Sequence, residues 1–82
     1  MKPITYTRDA IKILKSIPKN QANRIVEKVE SYASDPASQT NNVTALKGRE
    51  GVRLRVGDWR VIMRDGAVLA VLEIGPRGGI YR

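Results

Sequence analysis

Between Gly51 and Arg64 the chain alternates so regularly that it has little choice of secondary structure. Val52, Leu54 and Val56 are interleaved with Arg53 and Arg55, and Trp59, Val61 and Met63 with Arg60, Ile62 and Arg64. Period two is the pattern of a half-buried strand. Gly57-Asp58 between the two runs suits a two-residue hairpin loop. That loop sets Val56 opposite Trp59 and Arg55 opposite Arg60. A slip of one residue would turn every apolar side chain to water, so register fixes the faces. Val52, Leu54, Val56, Trp59, Val61 and Met63 then share a core face, and Arg53, Arg55 and Arg60 share the other. Like charges directly opposite one another on a sheet are unfavourable. Either that face has an anion to bind, or it is a solvated cationic face on which one carboxylate neutralises Arg60.

The flanking sequence supplies the rest of an α+β domain. Pro3 to Tyr6 reads as a short strand. Thr7 is a good helix N-cap, with Asp9 in the first turn. Ile11, Ile13, Leu14 and Ile17 give that helix an apolar face, and Ile17-Pro18 ends it. A second helix should start near Lys19 or Asn20. Ala22, Ile25, Val26, Val29, Tyr32 and Ala33 recur along it at helical spacing, and Ser34-Asp35-Pro36 stops it. Residues 37–42 read as a polar loop, and Val43 to Leu46 as a brief strand or an extended lead-in. Lys47-Gly48-Arg49-Glu50-Gly51 is a basic turn beside the arginine face, too short for a phosphate-binding P-loop. Asp65-Gly66 signals a second tight turn, placing Met63 opposite Val68 and Arg60 opposite Val71. Ala67 to Ile74 has the apolar run of a strand buried on both sides, with Glu73 on the arginine face diagonal to Arg60. Glu73 there is an internal counter-ion in preference to a catalytic group. Gly75 to Gly79 breaks the strand. The order β-α-α-β-β-β predicts an antiparallel four-stranded sheet with an N-terminal helical hairpin packed on one face. The first strand joins beside the last strand or at an edge. Leu14, Ile25, Val29, Leu54, Trp59, Val61 and Val71 or its neighbour Leu72 are the expected core.

Eighty-two residues are enough for one domain, spanning 1–82. Fifteen Lys and Arg against eight Asp and Glu leave a formal charge of +7, which suits a polyanionic partner. No apolar run approaches a membrane span and no signal peptide opens the chain, so a cytoplasmic protein without membrane attachment is expected. With no cysteine and no histidine, disulfides, thiolate metal sites and the usual neutral-pH acid–base group are all excluded. The eight carboxylates are scattered, so neither metal nor cofactor is expected.

Such a chain can still cleave RNA. The 2′-oxygen must be activated, charge on the phosphorane held, and the leaving 5′-oxygen neutralised. Guanidinium groups offer fixed bidentate donors for phosphate oxygens. A tyrosinate can activate the 2′-oxygen, because nearby arginines favour the ionised phenol. Tyr81, four residues after Arg77 and next to Arg82, is the candidate. On residue type alone it is equally an aromatic anchor for the C-terminus.

Three segments together resemble the RelE/ParE toxin superfamily: Leu46-Lys47-Gly48, then Val52-Arg53-Leu54-Arg55-Val56-Gly57-Asp58-Trp59-Arg60-Val61-Ile62, then Ile74-Gly75-Pro76-Arg77 through Ile80-Tyr81-Arg82. The similarity spans essentially the whole chain. Its terminal arginine-then-tyrosine pattern is more similar to the RelE branch, whose members cleave mRNA in the ribosomal A site and are neutralised by an antitoxin. The resemblance implies a catalytic set of Arg60 on the scissile phosphate, Arg77 at the leaving oxygen, Tyr81 at the 2′-hydroxyl, and Arg53 where the RelE branch more often has lysine. Lys47, Arg49, Arg55 and Arg82 are the implied RNA-binding residues. Gly51 stands where that branch carries a second lysine, whose charge Lys47 or Arg49 can replace. The implied partners are a cognate antitoxin and mRNA on the ribosome. Two other readings stay open: a ParE-like inhibitor of DNA gyrase that cleaves no RNA, and an inactive homologue that binds only its antitoxin.

Overall fold

The computed structural model describes residues 1–76. Strand β1 (Ile4–Tyr6) leads into helix α1 (Arg8–Ser16) and helix α2 (Lys19–Ser34). A kinked 3-10 segment (Pro36–Asn42) follows, then strands β2 (Val43–Ala45), β3 (Val52–Val56), β4 (Trp59–Asp65) and β5 (Leu69–Pro76). The five strands form one sheet in the order β1-β5-β4-β3-β2, with β1 parallel to β5 and every other pair antiparallel. The expected four-stranded antiparallel sheet is therefore corrected to a five-stranded mixed one. The extra strand is Val43–Ala45, which pairs with Val52–Leu54. Residues 37–42, expected as a loop, form the 3-10 segment instead.

The central hairpin has the register that its turn demands. Val56 pairs with Trp59, Arg55 with Arg60, Leu54 with Val61 and Val52 with Met63. Gly57 takes φ of 58°, a left-handed conformation that glycine adopts without penalty. Leu54, Val56, Val61 and Met63 are buried with Ile25, Val29, Tyr32 and Ala33 of α2. Trp59 is half-buried, because its indole N–H reaches the surface and donates to Gln21 Oε1 at 3.0 Å. Leu14 and Leu72 are also half-buried, and Ile11 is exposed, short of the burial expected for that helix face. Replacing Leu54 by alanine should cost about 2–5 kcal/mol, since it is fully buried between the helices and the sheet. Urea denaturation checks this as a lower midpoint with an unchanged slope.

The β4–β5 register differs from the expected one. Met63 pairs with Val71 rather than Val68, and Arg60 with Gly75 rather than Val71. The hairpin loop holds three residues, 66–68, closed by Gly66 N–H donating to Val68 O at 3.2 Å. Asp65 can therefore pair with Leu69. Contacts from the N-terminus hold this loop: Lys2 Nζ donates to Gly66 O at 2.8 Å, and Leu69 N–H donates to Pro3 O at 2.9 Å. A bulge then inserts one more residue, Leu72, opposite the Ile62–Met63 step. Thr7 secures that bulge. Its hydroxyl donates to Leu72 O at 2.7 Å and accepts from Ala10 N at 3.2 Å, so the helix cap and the bulge are held by one side chain. The two departures together return Glu73 to the arginine face, diagonal to Arg60, as expected.

Lys2 also pairs with Asp65, whose second carboxylate oxygen accepts from the Tyr32 hydroxyl at 2.8 Å. The Lys2 ammonium holds the Asp65 carboxyl below its ordinary range, with help from the Tyr32 hydroxyl and against partial burial. Burial, and then the bond to Asp65, push the Tyr32 phenol up to about 12. Burial and, second, the charge of Glu30 also raise Tyr6. A phenol with a raised folded pKa binds its proton more tightly than in the unfolded chain. Its contribution is complete below the unfolded value of about 10 and is lost as pH rises toward 12. Absorbance titration at 295 nm should show a step near pH 12 that Tyr32→Phe removes.

Candidate functional site

The helices cover one face of the sheet and leave the other to polar groups. On that outer face, cross-strand pairing builds two rows. One row is Thr44, Arg53, Ile62 and Glu73, running from β2 to β5. The next is Arg55, Arg60 and Gly75, running from β3 to β5. The expected juxtaposition of Arg53, Arg55 and Arg60 is thus present. Arg55 is exposed, while Arg53 and Arg60 are half-buried. Arg60 stands directly across from Arg55 on one side and from a glycine on the other. Gly75 is buried and ends this row on β5, one residue before Pro76.

The loop between β2 and β3 supplies more charge. Its base is closed by Leu46 N–H donating to Gly51 O at 3.1 Å. Gly48 and Gly51 take φ of 75° and 129°. A Cβ on Gly51 would lie 2.6 Å from the Met63 carbonyl oxygen, so a lysine there would require the backbone to move. The position that lacks the second lysine is one where this loop accepts only glycine. Lys47 and Arg49 are exposed on the same loop. Arg49 reaches across the outer face and pairs with Glu73 at 3.2 Å. Glu73 does serve as an internal counter-ion on the face, with Arg49 as its partner.

Sequence reading missed two features here. Ile62 is buried although it lies on the outer face, between Arg53 and Glu73 in its row. The alternation that places it there gives no sign of what covers it. A cleft of about 250 Å³ at the hairpin end is lined by Gln21, Arg24, Asp58, Trp59 and Pro76. The other expected site residues, Arg77, Tyr81 and Arg82, lie outside the described residues. Strand β5 ends at Pro76, the residue before Arg77 in the sequence. Among the described residues, no group of three or more Asp and Glu side chains is placed to hold a metal ion. None of the described helices is long and apolar enough to cross a membrane.

Residues 4–81 match the sequence profile of the ParE toxin of type II toxin–antitoxin systems. The chain belongs to this family. It is a toxin of the RelE/ParE superfamily, and solved structures of that superfamily share its fold. In the archaeal RelE–RelB complex from Pyrococcus horikoshii OT3, one chain is 27% identical with a TM-score of 0.79, over 95% of this toxin and 97% of that chain. In the RelB–RelE complex from Methanococcus jannaschii the identity is 20% and the TM-score 0.73, over 94% of each chain. The intact E. coli RelBE complex gives 16% and 0.72, over 93% of this toxin and 96% of that chain. The last two likenesses concern the fold alone. No curated protein is significantly similar to the toxin in sequence.

Proposed function

We propose that this toxin is a ribosome-dependent endoribonuclease that cuts mRNA in the A site, without metal, and is neutralised by a cognate antitoxin. The observation that carries the reading is the Arg55–Arg60 pair, set directly opposite on the face of the sheet turned away from the core cluster. Guanidinium groups at cross-strand distance can both bind one phosphate through charge-assisted, bidentate hydrogen bonds. Arg60 holds the scissile phosphate and stabilises the charge that grows on it. Arg53, in the neighbouring row, adds to that field. Tyr81 removes the 2′-hydroxyl proton, the 2′-oxygen attacks phosphorus, and the bond to the 5′-oxygen breaks while Arg77 neutralises that oxygen. Lys47, Arg49, Arg55 and Arg82 bind the flanking RNA backbone. The solved relatives are complexes of RelE with RelB, which supports an antitoxin as the partner here. An antitoxin segment with acidic residues over the arginine face would mask it, with association that weakens in salt. The work of such a toxin is cytoplasmic.

A second reading has an observation of its own, since the matching profile is that of ParE. In that reading the same basic face serves binding to DNA gyrase, and no RNA is cut. Two measurements on induced cells separate the readings. The nuclease reading expects truncated mRNA with unchanged plasmid supercoiling. Intact mRNA with relaxed plasmid would replace it with the gyrase reading.

A further inference from the structure

Resting on the reading of this face as a phosphate-binding surface, we propose that Glu73 is a built-in competitor for the RNA phosphate. It holds Arg49, and with it the loop at 47–51, on the arginine face until a phosphate displaces it. Glu73 is in line with Arg53 and diagonal to Arg60, where an anion is most favoured. Arg49 belongs to the loop that precedes β3, whereas Glu73 is on β5, two strands away. To meet it, the arginine side chain has to lie across the face over β4, and buried Ile62 sits in the row beneath. The pair therefore occupies the place where RNA would run.

The loop is built to release. Its base is fixed by the Leu46–Gly51 hydrogen bond, but Arg49 stands between two glycines of positive φ. A Cβ at Gly48 would meet no atom within 4 Å, so the loop has open space on that side. The Arg49 and Glu73 side chains keep 51% and 44% of their exposure. A pair this wet is held weakly and is screened by salt, so a phosphate that makes bidentate bonds to Arg49 can displace the carboxylate. Glu73 then faces the cleft that it lines with Asp9, Lys12, Ile13 and Ile74. Arg49 thus changes partner from carboxylate to phosphate, and the loop carrying Lys47 closes on RNA instead of on the protein.

The test uses a labelled single-stranded RNA oligonucleotide and full-length toxin as wild type, E73Q, R49A and the double variant, titrated at several salt concentrations. E73Q should bind about three- to tenfold more tightly than wild type. Its salt dependence should be steeper by about one phosphate contact, a slope change of about 0.7 for a single strand. Less than half of the gain should survive in the R49A background. Denaturation midpoints show that each variant is folded, and E73A gives the same reading if glutamine disturbs the packing. Unchanged or weaker binding by folded E73Q, or a gain that persists in full without Arg49, would overturn the proposal. Tighter binding with loss of ribosomal mRNA cleavage would make Glu73 the reaction's base and equally overturn it. Wild-type toxin that binds no RNA would remove the surface on which both readings rest. Tighter RNA binding by a toxin that never cuts mRNA would remove the nuclease reading and leave this one standing.

Discussion

Arg60→Ala should slow mRNA cleavage by roughly a hundred- to a thousandfold, a loss of about 2.7–4 kcal/mol of transition-state stabilisation. The basis is position. Arg60 is half-buried in the middle of the sheet, with Arg55 opposite it and Gly75 on its other side. Strands on both sides fix its backbone and hold it in register on the arginine face. A donor that meets charge developing on the phosphorane affects the rate more than the binding. Ribosome affinity, spread over many basic residues, should therefore change far less than kcat. Arg77→Ala should give a loss of the same order, through the leaving oxygen. Single-turnover cleavage beside ribosome pelleting checks both. Equal losses in affinity and rate would make these arginines simple binding groups.

Tyr81→Phe is the second large effect. It keeps the ring and deletes only the hydroxyl, so it should reduce the chemical step by about a hundredfold or more, within the range for a general base. Tyr81→Ala should then be no slower than Tyr81→Phe by more than its loss of anchoring. If the ring is only an anchor, phenylalanine will work like wild type and alanine alone will be impaired. The tyrosine spectrum gives an independent check. Tyr6 and Tyr32 both titrate above their ordinary value. Any tyrosine ionising below about pH 10 would therefore be Tyr81, shifted by neighbouring arginines.

Local chemistry made the central hairpin legible in the sequence. Gly57-Asp58 and strict alternation on both sides leave one register, and the structure has it. Helix α1 was legible for the same reason, through Thr7 and the Ile17-Pro18 stop. The Asp65-Gly66 turn misled because a local signal was overridden from far along the chain. Lys2 and Pro3 hold that loop open to three residues, a contact spanning more than sixty positions. Strand β2 was ambiguous because Val43-Thr44-Ala45 has only three residues, and its pairing with β3 decides it. The parallel placement of β1 beside β5 is likewise a long-range outcome that Ile4-Thr5-Tyr6 does not encode alone. At the site, alternation was enough to gather Arg53, Arg55 and Arg60 on one face, whereas Glu73 joins them because the three-residue loop and the bulge offset one another. It could not show that Arg49 crosses that face to Glu73, because the crossing depends on how the loop folds over β4. Gly51 looked like a missing lysine and is a position where positive φ and the Met63 carbonyl exclude one. The roles of Arg77 and Tyr81 rest on resemblance, not on periodicity.

The most direct measurement is primer extension of an mRNA on programmed ribosomes, with purified wild-type toxin and with Arg60→Ala. Wild type should give a new 5′ end within the A-site codon, in the absence of added metal beyond what the ribosome needs, and none on the same mRNA free of ribosomes. Arg60→Ala should give that end at a rate lower by about two to three orders of magnitude. Full-length mRNA with wild-type toxin on programmed ribosomes, or equal cleavage by Arg60→Ala, would contradict the assignment of the arginine face as the catalytic surface.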